Sequence, residues 1–306
     1  MAVLHIAGAE LGVDVHGPRG NGISSAGPLH RCVVYVSPLF ARTETSSADT
    51  MGYAFTFFIV SWLCGVPAGA YVHYPTISTD MLARVRSRKK WHTNQSRVAE
   101  SSVLSGVKLL PEKDHSMQLQ AFAELLRAHP QYASSAKLVL IGGARNDEDQ
   151  ARVGALKEEA TRLGLQVRPI YTIRMENVVF VVNAPYPVML EWLRKCSIGV
   201  NTMVDEHFGI NVVEYMAAGV IPVAHASGGP LRDIVVPLDG QRTGFHATTG
   251  EEYASAFDVV FSLSGVEDTA LRARARRWAV GRFSEDEFVR GWYESGWRRF
   301  LATPDA

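Results

Sequence analysis

Two carboxylates, Glu206 and Glu214, stand eight positions apart in the stretch EHFGINVVEYMAAG at residues 206–219. A short apolar run continues past Glu214 and ends in Gly219, which predicts a short helix that begins near Gly209. The first N–H groups of a helix have no internal partner and carry the positive end of its dipole, so they favour a phosphate or diphosphate. Gly209, which has no Cβ, lets a ligand approach the backbone closely.

The two glutamates flank this expected anion site. An ionised carboxylate only accepts hydrogen bonds, so it suits the paired hydroxyls of a sugar or a ribose. A ligand with hydroxyls at both ends and phosphates in the middle has the layout of a nucleotide-sugar. Acidic residues near a helix start are also common simply because they offset the dipole. At this point both interpretations of Glu206 and Glu214 stay open.

Two neighbouring motifs favour the ligand interpretation. The sequence HASGGP follows the next expected strand and predicts a tight turn on the same rim, with amides directed to a sugar or phosphate, formed by Ser227, Gly228 and Gly229. In PEKDH, Lys113 precedes an expected helix and would counter the charge of a diphosphate. A lone lysine of this kind is also commonly a solvated surface group.

Strands and helices alternate from about residue 106 onward. Apolar runs that read as buried strands, the first of them ending in Gly142 and Gly143, lie at residues 137–143, 197–201 and 220–225, and a further strand is expected within 176–185. Helical spacing covers residues 116–129, 148–164, 187–196 and 211–219, and FSEDEF opens a late helix with a capping-box spacing. This alternation predicts a parallel sheet covered by helices on both faces, with ligands beyond the carboxyl ends of its strands.

The composition is that of a globular protein. The chain has 306 residues, 47% of them hydrophobic, with 31 basic and 31 acidic side chains and no net charge. A balanced charge argues against a nucleic-acid partner. Three widely spaced cysteines without a CxxC pair fit neither a disulfide framework nor a zinc site, so free buried thiols are expected at Cys32, Cys64 and Cys196.

The N-terminal third is harder to interpret. Residues 51–72 contain no Asp, Glu, Lys or Arg and are about as long as a membrane-spanning helix. Gly65, Pro67 and Gly69 interrupt this run and favour a buried strand–helix–strand instead. Residues 84–105 are basic and then polar, which indicates a surface segment or linker.

The sequence resembles the retaining glycosyltransferases of family 4, which have the GT-B fold, through the E-x7-E pattern that Glu206 begins. More narrowly, YVHYPTISTDML, KLVLIGGARN, DGQRTGF and RFSEDEF resemble the eukaryotic α-1,2-mannosyltransferases of asparagine-linked glycosylation. The resemblance covers about residues 50–82 and 106–300. It implies an α/β fold of GT-B type, with a truncated Rossmann-like N-terminal domain at residues 1–105 and a Rossmann-like nucleotide-sugar-binding domain at residues 106–306.

The resemblance also implies an activity. A retaining hexosyltransferase of this kind transfers mannose from GDP-mannose to a dolichol-diphosphate-linked oligosaccharide, adding the fourth and fifth mannoses for protein N-glycosylation. The implied setting is the cytosolic face of the endoplasmic reticulum membrane, with contact to the membrane surface and to other glycosyltransferases of the pathway. No cofactor and no essential metal are implied, because the helix dipole and basic residues assist departure of the diphosphate.

Residue roles follow from the same resemblance at matching positions. Glu206 would hold the hydroxyls of the donor mannose and is a candidate catalytic residue. His73, in VHYP, is the second candidate, although a histidine after a strand is as easily structural. Glu214 would bind the guanosine ribose and Lys113 the diphosphate. The expected donor-binding set is completed by Gly142, Gly143, His207, Phe208, Gly209, Ile210, Asn211, Ser227, Gly228 and Gly229.

The sequence departs from the family pattern in its first third. About 105 residues of the sequence precede the C-terminal half, no stretch in them matches the family's membrane anchor or glycine-rich first loop, and the connection between TDML and PEKDH is short. An arginine of the family aligns near Leu110. A second hypothesis is therefore a shortened, catalytically inactive chain that binds a nucleotide-sugar or serves as an interaction protein.

Overall fold

The computed structural model describes residues 114–167 and 176–295, together with the backbone of three short strands: β1 (Ala2–Ile6), β2 (Ser47–Asp49) and β3 (Ala68–Ala70). These parts of the chain form two compact units. The first unit contains β1 and the described chain up to residue 283. The second contains β2, β3 and residues 284–295.

A six-stranded parallel sheet forms the centre of the first unit. Its other strands are β4 (Lys137–Gly142), β5 (Val178–Val182), β6 (Ile198–Asn201), β7 (Ile221–His225) and β8 (Phe245–Ala247). They are arranged in the order β5-β4-β1-β6-β7-β8, with β1 parallel to both β4 and β6. This is the doubly wound order, in which the direction of strand addition reverses between β1 and β6. The carboxyl ends of these two strands therefore mark the expected ligand crevice.

Side chains of the central strands alternate between two apolar cores. In β4, Leu138 and Leu140 pack into the core on one face of the sheet, and Val139 and Ile141 into the core on the other. Strands buried on both faces read as continuous apolar runs, because helices cover each side of a parallel sheet. This is why KLVLIGG and VIPVAH could be recognised as strands from the sequence.

Seven α-helices are present in the described part of the chain. Six belong to the first unit: α1 (His115–Ala128), α2 (Asp147–Arg162), α3 (Tyr186–Lys195), α4 (Ile210–Ala217), α5 (Gly250–Phe261) and α6 (Gly265–Phe283). Helix α1 buries Leu119, Phe122 and Leu125 completely and packs against α5. Helix α4 packs against α6 over a third apolar cluster. The predicted helices at 116–129, 148–164, 187–196 and 211–219 are thus confirmed to within a few residues.

Local hydrogen bonds account for several helix ends. The Asn146 side chain accepts a bond from the Asp149 N–H at the start of α2, and Thr249 and Glu252 form a reciprocal capping box at the start of α5. Gly164 follows α2 at φ 76°, in the left-handed conformation that ends a helix. The sequence predicted that α2 ends at Gly164.

The second unit contains a parallel pairing of β2 with β3 and the helix α7 (Glu285–Glu294), which begins after the predicted cap Ser284. Of residues 51–72, only β3 is described. The described helices are all too short or too polar to cross a bilayer. The predicted boundary at 105/106, and most of the truncated N-terminal domain, fall outside the described residues and stay predictions.

Candidate functional site

The predicted helix start lies on the carboxyl rim of the sheet, next to the point where the strand order reverses. Strand β6 ends at Asn201, a loop carries Glu206, and α4 begins at Ile210, as the sequence predicted. Gly209 precedes α4 at φ 93°, a conformation that glycine adopts without strain. No described side chain caps this helix start. The first amides of α4 therefore keep the polarity that favours an anion.

Glu206 accepts a hydrogen bond from the carboxamide of Asn201. Asn201 is only 2% exposed. Its Nδ2 donates to Asn211 Oδ1 at 3.0 Å and, over a longer 3.5 Å, to Glu206 Oε2. Its Oδ1 accepts from the Met203 N–H at 3.1 Å. One buried amide thus joins the strand end, the loop and the first turn of α4. This role of Asn201 was not predicted from the sequence, although a polar residue that closes an apolar strand is a visible signal.

Glu214 lies one turn into α4 and is half-buried. Burial raises the pKa of its carboxyl from 4.5 to about 7. One carboxylate oxygen, Oε1, is buried with no hydrogen-bond partner in the described part of the protein. Buried polar atoms are nearly always paired in folded proteins. An oxygen without a partner in this position is suited to a ligand hydroxyl.

The glycine pair after β7 packs directly against the Glu206 loop. A Cβ on Gly228 would lie 2.2 Å from the Glu206 carbonyl oxygen, and one on Gly229 would lie 2.5 Å from the carbonyl oxygens of His207 and Phe208. The Gly229 N–H donates to the Glu206 carbonyl at 2.8 Å. The tight turn is confirmed, and it supports the loop through backbone contact. The predicted contact of these glycines with a donor stays a prediction.

Ser227 reinforces the same contact between loops. Its hydroxyl oxygen accepts from the Asp205 N–H at 2.8 Å and lies 2.7 Å from His225 Nδ1. All three side chains are at least nine-tenths buried. Ser227 was predicted to contact the donor, and in this structure its hydroxyl serves to hold the loop.

Gly142 and Gly143 lie further along the same rim, beyond β4. They line a cavity of about 300 Å³ together with His115, Arg145, Asp149 and Arg152. Asn183, at the end of β5, fixes this rim because its carboxamide bonds both the N–H and the carbonyl of Ala144. Neither Glu206 nor Glu214 lines the cavity. The structure therefore places the glycine pair on the expected edge, beside a cavity that the two glutamates do not line.

The start of α1 is tied to the strand end that carries Asn201. The Thr202 hydroxyl donates to the Asp114 carbonyl at 2.7 Å and accepts from Gln118 Nε2 at 2.8 Å. Asp114 in turn caps α1 through the Met117 N–H. Lys113 directly precedes Asp114 in the chain. Lys113 and His73 themselves lie outside the described residues, so their predicted roles stay predictions.

The remaining predicted residues differ in exposure. Phe208 is partly buried and packs edge to face on Phe283, with ring centroids 5.6 Å apart. Ile210, the first residue of α4, is 45% exposed, and His207 is half-buried. Cys196 is buried as a free thiol, as expected, and burial raises its pKa to about 12. Cys32 and Cys64 lie outside the described residues.

A doubly wound sheet with an open helix start at its switch point is typical of each Rossmann-like half of a GT-B glycosyltransferase, and GT-B is the fold class of this chain. Residues 89–278 match the family model described as "Glycosyl transferases group 1", so the chain belongs to that family. Residues 29–111 match a second model, described as "ALG11 mannosyltransferase N-terminus".

Curated relatives carry a narrower name. The chain is 35% identical, over 316 aligned positions, to a Xenopus laevis protein named GDP-Man:Man(3)GlcNAc(2)-PP-Dol alpha-1,2-mannosyltransferase. The alignment covers 78% of this chain and 63% of the relative. A human protein of the same name is 34% identical, over 78% of this chain and 62% of its own length. The chain thus spans about three fifths of the length of these relatives. The alignment is 316 positions long but includes only 78% of this 306-residue chain. It therefore contains residues of the relative that have no counterpart here.

Solved structures support the fold alone. A UDP-forming α,α-trehalose-phosphate synthase from Burkholderia xenovorans superimposes with a TM-score of 0.50 at 14% identity, over 83% of this chain and 60% of that one. A structure entitled trehalose-6-phosphate synthase, OtsA, gives a TM-score of 0.50 at 13% identity, over 78% and 52%.

Proposed function

We propose that this protein transfers mannose from GDP-mannose, in α-1,2 linkage, to a dolichol-diphosphate-linked oligosaccharide, as the fourth and fifth mannoses of the precursor for protein N-glycosylation. The observation that carries the proposal is the open start of α4 between two acidic side chains, one of which, Glu214, has a buried oxygen without a described partner. The names of the relatives supply the identity of the sugar, the base and the acceptor.

Each part of the site has a distinct role in the proposed reaction. The diphosphate lies against the first amides of α4, at Ile210 and Asn211, where the helix dipole stabilises the charge that develops as GDP departs. Glu206 accepts hydrogen bonds from the mannose hydroxyls, and Glu214 from the ribose hydroxyls. Lys113 and His73 lie outside the described residues and keep the roles that the resemblance implies, Lys113 as a positive charge for the diphosphate and His73 as a second candidate catalytic residue. No resident metal or cofactor is needed for this chemistry.

The acceptor places the proposed reaction at the endoplasmic reticulum membrane. A dolichol chain is held in the bilayer, so the site must work beside the membrane surface, on the cytosolic face where GDP-mannose is present. Other glycosyltransferases of the same pathway are the expected neighbours.

Transfer of radiolabelled mannose from GDP-mannose to a short dolichol-type acceptor tests this function. The purified chain should form a product sensitive to α-1,2-mannosidase, and chelation of metals with EDTA should leave the rate unchanged. Glu206→Gln should reduce transfer on the order of 100-fold or more, because it removes the negative charge and replaces one of the two accepting oxygens with a donating NH2 group. Glu191→Gln, an exposed site on α3, is the matched control and should behave as the wild type.

Two results would contradict the proposal. Binding of GDP without any transfer would favour the inactive nucleotide-sugar-binding chain instead. Unchanged transfer by Glu206→Gln would refute the assignment of the site.

A further inference from the structure

We infer that Asn201 is a positioning residue for the donor sugar, because its carboxamide sets the orientation of the Glu206 carboxylate relative to the start of α4. The inference rests on the proposed function for its catalytic consequence. The contact itself stands on the geometry of described residues.

The orientation of the Asn201 carboxamide is fixed by its surroundings. Its oxygen accepts from the backbone N–H of Met203 at 3.1 Å, and an amide N–H can only donate. The nitrogen of the carboxamide must therefore point the other way, toward Asn211 and Glu206. This settles the amide orientation by chemistry, although oxygen and nitrogen have similar shapes.

The two hydrogens of Asn201 Nδ2 have two acceptors. One is Asn211 Oδ1 at 3.0 Å, in the first turn of α4, and the other is Glu206 Oε2 at 3.5 Å. The Asn201 side chain is itself rigidly placed, since the residue is 2% exposed and its carbonyl accepts a 2.8 Å bond from the Tyr253 hydroxyl. The buried carboxamide of Asn201 thus sets the position of the Glu206 carboxylate relative to the first amides of α4, which would face the diphosphate.

The distance between the Glu206 carboxylate and the start of α4 matters for sugar transfer. The sugar and diphosphate of one donor would contact Glu206 and α4 at the same time, so their separation must match the ligand. Misplacement of a catalytic contact by about 1 Å can reduce a rate on the order of 100-fold.

Asn201→Asp isolates the contact because the side chain keeps its size and its bond from the Met203 N–H. Asn211 can turn its own amide over and donate to the new carboxylate, so the start of α4 retains a bond. Glu206 cannot adapt in this way, and two carboxylates then face each other. We expect kcat for GDP-mannose to fall roughly 10- to 100-fold, while the inhibition constant of GDP, which has no sugar, changes by less than about two-fold.

The pH profile provides a readout that a general structural defect would not change. Two close carboxylates cannot both ionise easily, so the acid limb of kcat/KM in Asn201→Asp should move to higher pH by about one unit. The titratable groups Asp205 and His207, which adjoin Glu206 in the chain, and His225, which lies 2.7 Å from the Ser227 hydroxyl, are common to all variants. Tyr253→Phe is the control: it removes a buried bond to Asn201 without touching Glu206, and should lower the melting temperature without moving the acid limb.

A thermal double-mutant cycle tests the contact independently of catalysis. Glu206→Gln should raise the melting temperature in the Asn201→Asp background, because glutamine can donate to the aspartate, and should not raise it in the wild type. If Asn201→Asp fails to fold, the double variant should regain a cooperative transition. Equal effects of Glu206→Gln in both backgrounds, or failure of both variants to fold, would overturn the inference.

The outcomes separate this inference from the proposed function. Absence of transfer by the wild type, together with a positive thermal cycle, would refute the function and retain the contact. Normal transfer with no thermal coupling, or an unshifted acid limb, would refute the role of Asn201 and retain the function.

Discussion

The carboxyl group of Glu214 links the candidate site to pH. Its pKa is raised to about 7 because burial disfavours the charged form, whereas the unfolded chain has the ordinary value near 4.5. The folded state therefore binds a proton more tightly than the unfolded state. The destabilising effect of the charge is nearly absent below pH 4.5, grows between pH 4.5 and 7, and is fully present above that range. Without a ligand, Glu214 thus weakens the fold under neutral and alkaline conditions.

Glu214→Gln should therefore stabilise the protein in a pH-dependent manner. We expect a gain on the order of 1 to 3 kcal/mol at pH 8 and a much smaller gain at pH 5, since glutamine has no charge to bury. Urea unfolding at both pH values measures the difference. Glu158→Gln, at an exposed position on α2, should show no such dependence. An equal effect of Glu214→Gln at pH 5 and pH 8 would argue against an elevated pKa.

At the scale of elements, the structure depends on contact between two loops at the carboxyl rim. The loop after β6 and the turn after β7 touch through backbone atoms, with Gly228 against the Glu206 carbonyl. Both the left-handed φ of 57° and the lack of space exclude a side chain at this position.

Gly228→Ala should be considerably more destabilising than Gly164→Ala. Both glycines have positive φ, which costs alanine about 1 kcal/mol. A Cβ at Gly164 would meet no atom within 4 Å, whereas one at Gly228 would collide with backbone 2.2 Å away. Urea denaturation should resolve the difference, and GDP binding should weaken only in Gly228→Ala. Similar losses in the two variants would show that φ alone matters.

Local patterns explain which elements were predictable. Helix α1 and strand β4 follow from the spacing of apolar residues, and the start of α4 follows from the glycine before it. The network around Asn201 and Thr202 was missed because it depends on how β6, α1 and α5 meet, which no local pattern encodes. The cavity beside Gly142 was missed for the same reason, since its walls come from separate parts of the chain.

At the scale of the whole molecule, the least predictable feature is the placement of β1. Residues 2–6 pair with β4 on one side and β6 on the other, and so occupy the centre of the sheet. Contacts between residues so distant in sequence carry a large loop-closure entropy and leave no local signature. The resemblance implied that these residues belong to an N-terminal domain, and the predicted boundary at 105/106 lies outside the described residues.

Leu4→Pro tests this placement through the backbone alone. Proline cannot donate a ladder hydrogen bond and is excluded from central strands. The variant should lose much of its stability, which circular dichroism during thermal unfolding would record as a lower or absent transition. An unchanged transition would mean that another segment fills the central position.

The interlocked loops have a consequence for protein engineering. Because the Gly229 N–H donates to the Glu206 carbonyl, and Ser227 accepts from the Asp205 N–H, residues 202–209 and 226–229 act as one piece. A chimera that takes only one of these segments from another glycosyltransferase would place two loops in contact whose hydrogen bonds and backbone packing do not fit each other. Attempts to exchange these loops should therefore transplant both segments together, and variant libraries should randomise them jointly.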